Sequence, residues 1–77
     1  MKFFEKSWKY IKTGVDGNVR LFGVNIFNFE WKITNKTIQI DDFHHNIPVF
    51  QVVVSDKTYE FAADEVSNCV WKFYVYK

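Results

Sequence analysis

Apolar and polar residues alternate along most of this chain, and the slips in that alternation carry as much information as the runs. Between Val19 and Ile33 the phase changes twice. Val19 and Leu21 are odd-numbered, Phe22, Val24 and Ile26 even, and Phe27, Phe29, Trp31 and Ile33 odd again. One straight strand over that stretch would run about 50 Å, too long for a domain of this size. The pattern therefore predicts a bulge or bend near Gly23 to Ile26, the device that curls small sheets towards barrels. Asp16-Gly17-Asn18, just before it, has the composition of a turn.

Two later stretches resemble each other. FEWKITNKTIQI, residues 29–40, aligns with FQVVVSDKTYEF, residues 50–61. Both read as hairpins. A two-residue loop at Asn35-Lys36 pairs Ile33 with Ile38 and Trp31 with Ile40; one at Asp56-Lys57 pairs Val54 with Tyr59, Val52 with Phe61 and Phe50 with Ala63. Each pairing puts the apolar residues on one face. Asn and Asp tolerate the positive φ of such loops better than Lys, so four-residue loops are the alternative. Pro48 restricts its surroundings to a strand start or an edge, which makes residues 41–47 a connection. AADEVSN reads as a polar link with room for one helical turn from Asp64, and Cys69 to Tyr76 as the last strand.

Residues 2–12 break the alternation, because Phe3 and Phe4 are adjacent. At 100° per residue Phe3, Phe4, Trp8, Tyr10 and Ile11 share one arc, with Lys2, Glu5, Lys6, Lys9 and Lys12 on the other. This predicts a short helix capped by Gly14, with Lys9 and Lys12 at the negative end of its dipole. The expected fold is thus one α+β domain over residues 1–77. A short N-terminal helix packs on a strongly curved five- or six-stranded antiparallel sheet, open or closed into a small barrel.

Composition sharpens this in two respects. The chain has 77 residues, among them nine Phe, four Tyr and three Trp. Small cores are marginal unless well filled, and each ring buries roughly 150–250 Å², so the aromatics can supply much of the core. The single cysteine, Cys69, forms no internal disulfide; with no secretory pattern over residues 1–12 and no apolar run of membrane length, the expectation is a cytoplasmic protein without a membrane span. A lone cysteine in an apolar strand is expected to be a small buried hydrophobe.

Charge adds polarity rather than a partner. Residues 1–40 hold seven basic and three acidic groups, residues 41–77 three basic and six acidic, for a net +1. The densest chemistry is DDFHH, where Asp41, Asp42, His44 and His45 offer oxygen and imidazole ligands to a divalent metal. Adjacent histidines point apart in an extended chain, and no matching second cluster exists. With no phosphate loop or nucleophile triad and little chain for a pocket, the expectation is a non-enzyme without a cofactor. What remains is surface. If Phe29, Trp31, Ile33, Ile38, Ile40, Val52, Val54, Tyr59, Phe61, Trp71 and Phe73 line one sheet face, Phe22, Val24, Ile26, Val49, Val53, Val70, Tyr74 and Tyr76 line the other, and one short helix covers only part of it. The expected function is an interaction module that binds a protein partner or itself through Phe22, Val24, Tyr74 and Tyr76, with Trp8 at the margin. The alternatives are a nucleic-acid binder using the helix lysines, Arg20 and the tyrosines, and a metal-dependent function at Asp41–His45.

Overall fold

The computed structural model describes residues 7–39 and 46–77. They form strands β1 (Trp8–Val15), β2 (Arg20–Leu21), β3 (Val24–Asn25), β4 (Lys32–Gln39), β5 (Asn46–Val54), β6 (Lys57–Ser67) and β7 (Val70–Tyr76), with one 3-10 turn at Ile26–Asn28. Five of the strands make an antiparallel sheet in the order β1-β7-β6-β5-β4; β2 and β3 make a small hairpin of their own.

The expected N-terminal helix is corrected. Among the described residues, the part of residues 2–12 from Trp8 onward is strand β1, paired with β7 from Trp8↔Tyr76 to Val15↔Val70. The architecture is nearly all β rather than α+β. The misreading has a physical cause: β1 carries apolar side chains on both faces, Trp8 packed against one buried cluster and Ile11 against the other, so the adjacent Tyr10 and Ile11 break the alternation that marks a half-buried strand. A register shift between Tyr10 and Lys12 adds to the irregularity. The composition of WKYIKTGV, aromatic and β-branched, favours a strand, and a three-turn helix is marginal alone. Gly14, expected as a helix cap, lies within β1 opposite Trp71. Nor do the described residues close a barrel: β1 and β4 end their strand order without pairing to each other.

The expected hairpin at 29–40 is also corrected. Residues 32–39 are a single strand lying along β5, with Ile33↔Phe50 and Thr37↔Pro48 on either side of an irregularity. Thr34, Asn35 and Lys36 bulge there. The Thr34 hydroxyl donates to the Val49 carbonyl at 2.8 Å and accepts from Lys36 N–H at 3.1 Å, so turn-forming chemistry is spent on a bulge. The second hairpin forms, with its loop at Ser55-Asp56 rather than Asp56-Lys57. Both loop residues have positive φ, 52° and 67°, as the favoured two-residue turns require. Val52 then faces Tyr59 and Phe50 faces Phe61, a two-residue slip that leaves every side chain on its expected face. AADEVSN is no link and starts no helix: β6 runs through it to Ser67.

The stretch 19–33 does turn, but by a tight hairpin at Phe22-Gly23 followed by the 3-10 turn, not by a bulge in one strand. This segment folds over one face of the sheet, here called inner. Val19, Leu21 and Ile26 meet Val52, Val54, Phe61, Ala63 and Phe73 in one buried cluster. Trp31 is its hub: its ring centroid lies 4.9 Å from Phe61, 5.3 Å from Phe50 and 5.5 Å from Trp71, and its indole N–H donates to the Ile26 carbonyl at 2.9 Å. Full burial of a Phe such as Phe61 or Phe73 contributes about 1.5–3 kcal/mol. Asn25 ties the segment down, accepting at its side-chain oxygen from the N–H groups of Val19 and Phe27.

Candidate functional site

The outer face of the sheet is not the bare surface expected. Ile38, Ile47, Val49, Ala62 and Tyr74 are buried there in a second cluster, with Trp8 packed against it. Ile38 therefore moves from the expected core face to the opposite one, because the expected reversal at Asn35-Lys36 does not form. In one continuous strand Ile33 and Ile38, five residues apart, point to opposite faces, and the Thr34–Lys36 bulge, three residues opposite Val49 alone, adds two and leaves the phase of β4 unchanged. Ile33, on the other side of that bulge, is 70% exposed.

The five residues expected to meet a partner separate into two groups. Phe22 and Val24 pack against the inner cluster. Phe22 stacks on Tyr59 with a centroid distance of 4.4 Å and an interplanar angle of 16°. It does so from φ 55°, a conformation costly for a bulky residue. The ring closes one end of the core, half-buried, and the stack offsets the backbone cost. Trp8, Tyr74 and Tyr76 stay together on the outer face.

Tyr10 joins them, and the sequence reading missed it as a contact residue. Tyr10 stands opposite Tyr74 and Trp8 opposite Tyr76 in the β1–β7 ladder, so the four rings form a two-by-two block. Trp8 and Tyr76 are tilted at 5.6 Å, Tyr10 and Tyr74 edge-on at 5.9 Å. Tyr74 is the buried corner, whereas Tyr10 is 53% and Tyr76 55% exposed. The Tyr10 hydroxyl shares a hydrogen bond of 2.6 Å with Thr13. Aromatic pairs of this geometry contribute about 0.5–1.5 kcal/mol beyond burial, so the block both fastens β1 to the sheet and holds two half-exposed rings in fixed positions.

Three of the cations are engaged with the backbone. Lys9 Nζ donates to the Lys77 carbonyl at 2.8 Å, Lys12 Nζ to the Arg20 carbonyl at 2.6 Å and Arg20 to the Gly23 carbonyl at 2.9 Å. On β4, Lys36 reaches Glu60 at 3.1 Å, an exposed pair worth well under about 1 kcal/mol. Lys72 stands opposite Asp64 in the ladder. No helix among the described residues is long and apolar enough to cross a membrane.

The metal candidates Asp41, Asp42, His44 and His45 lie outside the described residues, as do Lys2 and Lys6. Among the described residues no group of three or more His, Cys, Asp or Glu could hold a metal. Cys69 is not the buried hydrophobe expected. It is exposed in the β6–β7 turn at φ 66°, its thiol 3.7 Å from the Asn68 side-chain oxygen. One buried polar side-chain atom among the described residues has no hydrogen-bond partner, Trp71 Nε1. It sits in the inner ring cluster, where Trp31 meets Trp71 edge-on at 77° and aromatic faces are the acceptors at hand. Comparison with known protein-family models, with curated proteins and with solved structures gave no match.

Proposed function

We propose that this domain is a small non-catalytic interaction module that contacts a protein partner or a second copy of itself through the aromatic block on β1 and β7. Trp8 and Tyr74 hold the block in place, and Tyr10 and Tyr76 make the contact. One observation carries this reading: both tyrosines keep more than half their surface open while their rings are braced by neighbours. Rings already fixed lose little freedom on docking, and tyrosine is favoured at the centres of interfaces. Phe22 and Val24, committed to the inner cluster, contribute only through stability.

The test is sedimentation velocity over a wide concentration range, with an apolar-surface dye as a second readout, on the wild type and on a Tyr10→Thr/Tyr76→Thr variant. Threonine keeps the preference for strand, so circular dichroism should be unchanged. The wild type is expected to self-associate reversibly with a micromolar dissociation constant, or to stay monomeric and bind dye; the variant should lose both behaviours. A wild type that is monomeric at millimolar concentration and leaves the dye dark overturns the proposal.

A further inference from the structure

We draw no further inference here: the strongest candidate, the shallow hollow of about 250 Å³ at the β4–β5 margin lined by Glu30, Lys32, Gln51, Val52 and Val53, carries nothing, because no buried, unpartnered polar group among the described residues is aimed into it and nothing in the structure selects a ligand for it.

Discussion

Gly14→Ala tests the packing of the two layers at one atom. Gly14 lies opposite Trp71 in the ladder, and Val19 crosses above it. An alanine Cβ at position 14 would land on Val19 Cγ2, far inside contact distance, with Val19 Cβ and Cγ1 at 3.5 and 3.7 Å. Val19 cannot easily retreat. It is 3% exposed, its carbonyl accepts from Ile26 N–H at 2.8 Å, and its own N–H donates to Asn25. Overpacking of this kind costs about 1–3 kcal/mol. Replacing glycine returns about 0.4–1 kcal/mol by restricting the unfolded chain. The expected net loss is therefore about 1–2 kcal/mol, which lowers Tm by about 5–15 °C in a domain of this size. Val19→Ala supplies the second arm of a cycle. Alone it removes two buried carbons, at about 0.8 kcal/mol each plus a cavity term. In the double variant the new methyl at position 14 occupies the vacated space. The pair should thus be less destabilised than the sum of the singles by about 1–2 kcal/mol. Urea unfolding followed by tryptophan fluorescence, with m values compared, gives all four corners. A Gly14→Ala protein as stable as the wild type, or a coupling within about 0.5 kcal/mol of zero, refutes the proposed contact between β1 and the β2–β3 layer.

Three further outcomes are expected. Cys69 should react with a thiol reagent in the native state about as fast as in urea, and Cys69→Gly should raise stability by about 0.5–1 kcal/mol, because glycine meets no steric penalty at φ 66°; a protected thiol would contradict its exposure. Phe22→Asn should destabilise by about 1 kcal/mol in urea unfolding although asparagine tolerates the left-handed backbone, since the stack on Tyr59 is lost; a stabilised variant would mean that strain outweighs the stack. Trp31→Phe should cost about 1.5–3 kcal/mol, through lost ring volume and an Ile26 carbonyl that loses the indole donor and keeps only the longer bond from Phe29 N–H at 3.3 Å, and a loss below about 0.5 kcal/mol would show that Trp31 is not the hub of the inner cluster.

The inner face was legible where strands are regular. Over β5, β6 and β7 the period of two places Val52, Val54, Tyr59, Phe61, Trp71 and Phe73 together, and they do pack together. A turn set one residue late displaced the register by two, which left the faces untouched. Strands covered on both faces defeated the reading elsewhere. In β1 Trp8 packs against the outer cluster and Ile11 against the inner one, so the apolar residues did not alternate and Tyr10 was placed on a helix arc instead of beside Tyr74. A signal was present: Trp8 and Tyr10 alternate just as Tyr74 and Tyr76 do, and antiparallel neighbours that both alternate in large rings make favourable cross-strand pairs. Cys69 misled because apolar neighbours on one side suggested a strand, while Asn68 beside it pointed to the turn that formed.

Thr34-Asn35-Lys36 and Ser55-Asp56-Lys57 show why local turn chemistry does not choose between a turn and a bulge. Around Ser55-Asp56 both flanks reach the inner face only if the chain reverses, since Val52 then meets Tyr59 across the ladder. Around Asn35-Lys36 a reversal would have paired Trp31 with Ile40. Trp31 gains more within reach of Phe50, Phe61, Trp71 and Phe73, so the chain runs on and the surplus residues bulge. The outcome bears on association. Each outer strand of the sheet now carries an irregularity and two lysines, Lys9 and Lys12 on β1, Lys32 and Lys36 on β4. Bulges and lysines are what keep an open edge from pairing with another chain. With both edges guarded among the described residues, strand addition is disfavoured, which supports the proposed contact through the side-chain surface, where Tyr10 and Tyr76 are the rings of the described residues left most open to solvent.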